Sequence, residues 1–195
     1  MGSLRALPAM IAFILPLVAA QSRAEERPQF IPTRDVDLRY EVTRPGEPMV
    51  QERVRWLARD HLERIDGPRQ SVTIIDQKAN DVTLLNAASD TYSQVDGASP
   101  WPVAPPAEPA AVRGRGYSVV AGLRCTDWSW TDDVEARVAC ITADGVLLRL
   151  VVDGRTRVEA KSVRYRAQDA EIFLIPPDYA PAVMAPEAHR LIRFR

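Results

Sequence analysis

The side chains able to do chemistry in this sequence are few, and their spacing suits little of it. Histidine occurs twice, as His61 and His189. Asp60, His61 and Glu63 are too close along the chain to converge as ligands on one metal ion, so a solvated turn is the better reading. No Gly-x-Ser-x-Gly elbow is present to expose a serine beside a histidine, and hydrolysis by a catalytic triad has no support. Asp132 and Asp133 are adjacent in a turn and would not face each other across a sugar. Cys125 and Cys140 are too widely spaced for a Cys-x-x-Cys redox pair. Arg113-Gly114-Arg115-Gly116 is a single arginine-glycine fragment read as solvated loop, and a formal net charge of −1 argues against a general nucleic-acid binder. The expectation is a non-enzymatic protein with no metal, no cofactor and no nucleic-acid partner. No residue stands out as a ligand contact.

What the two cysteines can do is cross-link. With Asp132-Asp133 as a two-residue turn, Cys125 falls directly opposite Cys140, at a separation that a disulfide bridges. The same register sets Trp128 opposite Arg137 as a cation–π pair. Hairpin signals continue downstream. Ala143-Asp144-Gly145-Val146 carries an Asp-Gly turn. Beyond it, Val146 to Val152 returns to Thr156 to Ala160 around Asp153-Gly154-Arg155. A three-residue loop there aligns Leu148 with Ala160, Leu150 with Val158 and Val152 with Thr156, and sets Arg149 against Glu159; a two-residue loop would set leucines against charges. The parity change at Val163 and Tyr165 implies a bulge near Lys161-Ser162.

Upstream, Asp35 to Val42 alternates as a half-buried strand, followed by a turn from Thr43 to Pro48. Ser71 to Asp76, Asp81 to Asn86 and Thr91 to Val95 are evenly spaced strands of a meander. Val50 to Asp66 reads two ways. Alternation around Arg59-Asp60-His61 gives a hairpin, whereas Val54, Leu57, Ala58, Leu62 and Ile65 at helical spacing with Gly67 as C-cap give a helix, which periodicity alone slightly favours. From Gly97 to Gly116 the prolines among alanines predict a loop, with Trp101 anchoring it to the body. Phe173 to Tyr179 closes the body, and the basic tail from Ala188 to Arg195 has no firm reading.

The N-terminus has Arg5, an apolar run from Ala6 to Ala20, and small residues spaced for cleavage after Ala20 or Ala24. Residues 1–24 therefore read as a signal peptide. The run is short for roughly 30 Å of hydrocarbon and holds Pro8 and Pro16, and Gln21 or Glu25 stands where a lipoprotein needs cysteine, so no stable membrane anchor is expected. Residues 25–195 are the size of one domain, expected in the periplasm or secreted, where a cysteine pair meets an oxidising compartment.

Asp35-Val36-Asp37-Leu38-Arg39-Tyr40, Arg64-Ile65-Asp66-Gly67, Ala121-Gly122-Leu123-Arg124-Cys125, Thr142 to Arg149, and Phe173 to Tyr179 together resemble a family of uncharacterised exported proteobacterial proteins. That family is itself similar to the periplasmic lipoprotein-carrier (LolA-like) fold. The resemblance implies a mainly β chain with little helix: a strongly curved antiparallel meander, an unclosed half-barrel whose concave apolar face holds acyl chains beneath a helical lid. It also implies that Met49 to Asp66 is a hairpin, which decides the ambiguity above. Outside that segment no lid helix is legible. The function expected is binding of a lipid or other apolar ligand on the concave face. The alternative is a structural or sensory interaction module for another envelope protein.

Overall fold

Val36, Leu38, Tyr40 and Val42 alternate with charged residues because one side of their strand must be dry, and they form β1, Val36–Val42. A computed structural model describes residues 28–97, 112–132 and 135–182. The expected signal peptide, Trp101 with most of the proline-rich stretch, and the basic tail lie outside the described residues. Five strands follow β1 as a meander: β2 (Val50–Leu57), β3 (Leu62–Asp66), β4 (Ser71–Asp76), β5 (Asp81–Asn86) and β6 (Thr91–Asp96). A second meander comprises β7 (Arg113–Val120), β8 (Leu123–Asp132), β9 (Glu135–Ile141), β10 (Leu147–Val152) and β11 (Arg155–Tyr165). The two meet where β11 pairs antiparallel with β1, and β12 (Ala180–Pro181) adds a short parallel edge to β6. The result is one 12-stranded sheet, antiparallel apart from that edge and not closed into a barrel.

The sheet bends hard. Glu63 on β3 and Ile141 on β9 line one cavity. Five inter-strand steps separate them, about 24 Å if the sheet were flat at about 4.8 Å per step. Curvature brings them together, and the enclosed side carries the main core: Val36, Leu38 and Tyr40 of β1, Val54 and Trp56 of β2, and Trp128, Trp130, Ala139, Leu148 and Leu150 from the second meander. The outer side of the first meander has a core of its own, where Leu57, Ile74 and Leu85 are covered by Phe173, Ile172 and Tyr179. The covering segment is pinned at several points. Gln168 N and Ala58 N donate to the two oxygens of Asp35 at 3.0 and 2.8 Å, Arg64 donates to the Ile172 carbonyl at 2.6 Å, and Ala180 N donates to the Asp90 carbonyl at 2.9 Å.

This second core explains the ambiguous stretch. The hairpin of β2 and β3 is present, and its apolar residues serve both faces: Val54 and Ile65 point into the main core, Leu57 and Leu62 into the outer one. Two buried faces break the period of two and mimic a helical stripe.

Two registers and one element differ from expectation. Asp132 is the last residue of β8 and pairs with Glu135, so the expected turn at Asp132-Asp133 lies one residue too early. Trp128 consequently faces Ala139, and Arg137 faces Trp130; the Trp128–Arg137 pair is not formed. Moving a turn by one residue shifts the pairing by two, which leaves every side chain on its original face and costs no hydrophobic match. At the next hairpin Arg149 meets Glu159 and Leu150 meets Val158, as the leucine pattern requires, yet Val152 meets Arg155. The loop is the two-residue Asp153-Gly154, both at positive φ, and a bulge at Arg157 restores the apolar register. The expected second bulge is present, since Arg39 pairs with Ser162 and Tyr40 with Ala160, leaving Lys161 extra. Finally, β7 begins at Arg113, so the arginine-glycine fragment expected as solvated loop is strand, paired to Trp128 and Asp127 through Gly114 and Gly116.

Candidate functional site

The apolar face enclosed by the bent sheet is the candidate site, and its residues come from both meanders. Its central part is closed. Phe30, Ile31 and Pro32 lie across the mouth as a loop segment bent at Ile31, held by Thr33 N donating to the Asp144 carbonyl at 2.9 Å and by Phe30 packed edge-on to Trp130 at 5.9 Å between ring centroids. Gly145 permits this approach. Its φ is +92°, and an added Cβ would lie 2.4 Å from the Ile31 carbonyl oxygen. The Asp144 side chain is fixed in turn by the hydroxyls of Thr142 and Tyr165, at 2.5 and 3.0 Å.

Beneath this segment a cavity of about 50 Å³ remains, walled by Leu38, Tyr40, Val54, Trp56, Ile141 and Leu147. Ligand pockets run to roughly 300–1,000 Å³, so the cavity has no room for an acyl chain. One acid lines it. Glu63 is only 4% exposed and has no hydrogen-bond partner among the described residues. Burial pushes its carboxyl up to about 8. Tyr40 donates from its hydroxyl to the Leu147 carbonyl at 2.5 Å, and its burial raises it far above the usual phenol range.

The face stays open farther along β3 to β5. There Ile65, Thr73, Ile75, Val82 and Leu84 form a trough of about 460 Å³, and Leu84 is 43% exposed. Arg44 and Glu52 bound it, paired at 2.7 Å, and Glu52 Oε2 has no hydrogen-bond partner. This part has ligand dimensions.

Cys125 and Cys140 are joined by a disulfide within the main core, both at most 2% exposed, with Cα atoms 5.3 Å apart. The bridge is diagonal, because Cys140 pairs in register with Asp127 and not with Cys125. Beside it Ser118 donates to Asp127 at 2.5 Å and Arg149 joins the same carboxylate at 3.4 Å. His61 sits in the β2–β3 turn at positive φ with its ring 6.2 Å from that of Trp56, while Asp60 pairs with Arg59. His61 thus packs on an aromatic ring, and His189 lies outside the described residues. No group of three or more His, Cys, Asp or Glu side chains suited to a metal occurs among the described residues. No described helix is long and apolar enough to cross a membrane. Sequence reasoning missed Glu63 as a buried group and Gly145 as the seat of the N-terminal segment.

The sequence matches no protein-family model and no curated protein. Solved structures do share the fold. An uncharacterised conserved protein from Thermus thermophilus superposes with a TM-score of 0.56 at 13% identity, over 77% of this chain and 90% of that one. MucB in complex with MucA(peri) superposes with a TM-score of 0.51 at 14% identity, over 77% of this chain and 57% of MucB. The Pseudomonas aeruginosa MucA/MucB complex gives the same score at 13% identity, with 77% and 58% covered. This chain therefore spans less than two thirds of the MucB length. At such identities the likeness is one of fold.

Proposed function

We propose that this chain is an exported, non-enzymatic interaction module of the bacterial envelope, which holds a segment of a partner protein against the open end of its enclosed sheet face. The observation that carries this reading is the filled centre of that face: Phe30, Ile31 and Pro32 occupy the space that an acyl chain would need, and about 50 Å³ is left. The trough from Ile65 to Leu84 remains for a partner's apolar side chains. Export is supported by the signal-peptide pattern of residues 1–24 and by a disulfide. A protein partner is supported by the shared fold of MucB, solved in complex with MucA(peri).

The second reading is the one implied by the resemblance to lipoprotein carriers, a lipid or other apolar ligand. Its support is the composition of the trough, where Ile75, Val82 and Leu84 line a volume in the range of ligand pockets. A photo-crosslinking residue at position 84, activated in living cells, separates the two. One dominant adduct of protein mass is the expected result. Native mass spectra showing a bound lipid, with no protein adduct, would instead establish the second reading.

A further inference from the structure

We infer that the small cavity beneath Phe30–Pro32 is a binding site for a small organic cation, an alkylammonium group, with Glu63 as its counter-ion. The inference is independent of the proposed partner. Among the side chains walling this cavity, Glu63 is the acid, nine-tenths buried, lining the free space and without a hydrogen-bond partner among the described residues. A carboxyl group so placed lacks the hydrogen bonds or opposite charge that ordinarily accompany buried acids. Its surroundings suit a cation better than an anion or a neutral polar group. Phe30, Tyr40 and Trp56 contribute aromatic rings to the lining, and aromatic rings gathered around a desolvated ammonium are a recurrent way to hold one. The remaining walls, Leu38, Val54, Ile141 and Leu147, carry no charge, and Gln77 adds one uncharged amide. Size restricts the ligand to a group of few heavy atoms, since about 50 Å³ is free.

Among the elements around Glu63, β1 presents Tyr40 and the β2–β3 turn carries His61 against Trp56; the segments contributing Phe30–Pro32, Ile141 and Leu147 place no titratable side chain in the cavity. Binding of a cation favours the ionised form of Glu63, whose carboxyl burial raises to about 8, so occupancy releases a proton. Alkylammonium groups keep their charge to about pH 10, so the ligand itself does not titrate over this range.

Methylammonium chloride is the probe, titrated into the intact mature protein and followed through the Trp56 indole N–H resonance, assigned with the Trp56→Phe variant. Methanol serves as a neutral probe of similar size, and sodium chloride controls ionic strength. The expected result is a saturable shift with methylammonium alone, with affinity rising about tenfold per pH unit from 6 to 8 and levelling above. Glu63→Gln should weaken binding at pH 9 at least tenfold while keeping its near-ultraviolet circular dichroism. The proposal is overturned if wild-type protein shows no saturable methylammonium shift, if methanol gives the same shift, or if affinity does not change with pH. Those three outcomes do not depend on how the variant folds. Equal binding by a folded Glu63→Gln protein overturns it as well.

Discussion

Glu63 is the residue whose environment departs furthest from what its chemistry prefers, and that departure has a measurable sign. In the folded chain burial holds its carboxyl at about 8, against an ordinary value near 4.5. Between those values the unfolded chain has lost the proton and the folded chain keeps it, so stability falls as pH rises from about 4.5 and stops falling above about 8. Glu63→Gln removes the titration. Its stability relative to wild type should therefore increase across this window and plateau above pH 8, by a few kcal/mol in all, because each pH unit crossed contributes about 1.4 kcal/mol. Urea unfolding at pH 5, 7 and 9 measures it, and a pH-independent difference would mean that the carboxyl is solvated. Asp37 behaves oppositely. Arg53 binds it with two hydrogen bonds of 2.8 Å and Arg166 adds a third contact, holding its carboxyl below the usual value, so its contribution is present at neutral pH and lost on acidification. The sequence does not distinguish these two acids. Leu62-Glu63-Arg64-Ile65-Asp66 places a charge on each face of its strand, and only the curvature decides that the side bearing Glu63 is the dry one.

At the level of elements, the sequence is legible wherever one face of a strand is wet and the turn chemistry is local. The Lys161 bulge and the meander of β4 to β6 follow from such signals, whereas at the β10–β11 hairpin the leucine pattern gives the pairing of Leu150 with Val158 but not the two-residue Asp153-Gly154 loop or the bulge at Arg157 that produce it. It is least legible where a shift leaves the pattern unchanged, as with the two-residue displacement between β8 and β9. It is also mute where a distant segment supplies the cover. Nothing in Leu57 or Leu62 announces Phe173, and nothing in the Asp-Gly turn before β10 announces Ile31. Gly145 tests that last contact. Gly145→Ala places a methyl group against the Ile31 carbonyl and forces alanine to φ +92°, a backbone cost of about 1 kcal/mol before any clash is counted. The expected outcome is release of residues 28–33 with the sheet intact: faster amide exchange at Thr33, whose N–H bonds Asp144, and unchanged protection in β1 and β11. Loss of protection throughout would show that the segment is part of the core and not a cover.

On the scale of the whole molecule, an unclosed sheet leaves two kinds of apolar surface, and they predict different modes of docking. One is the trough on the enclosed face, where Leu84 is 43% exposed above Thr73 and Ile75. The other is the terminal strand β7, which pairs with β8 on one side and carries Tyr117 and Val119 at 63% and 71% exposure. A terminal strand offers backbone donors and acceptors to an incoming strand, whereas a trough takes side chains. The curvature that fills the centre of the face but leaves β3 to β5 uncovered favours the trough. Leu84→Arg should then abolish the protein adduct formed by a crosslinker at Ser71, which borders the same trough. Its unfolding free energy should stay within about 0.5 kcal/mol of wild type, as is usual for surface positions. Val119→Arg, at the far edge of the sheet, should leave the adduct intact. The reverse result, an adduct lost in Val119→Arg and kept in Leu84→Arg, would move the interaction to the edge strand and make backbone pairing its basis. Because both substitutions introduce the same charge at exposed apolar sites, a difference between them reports location and not a general effect of added charge.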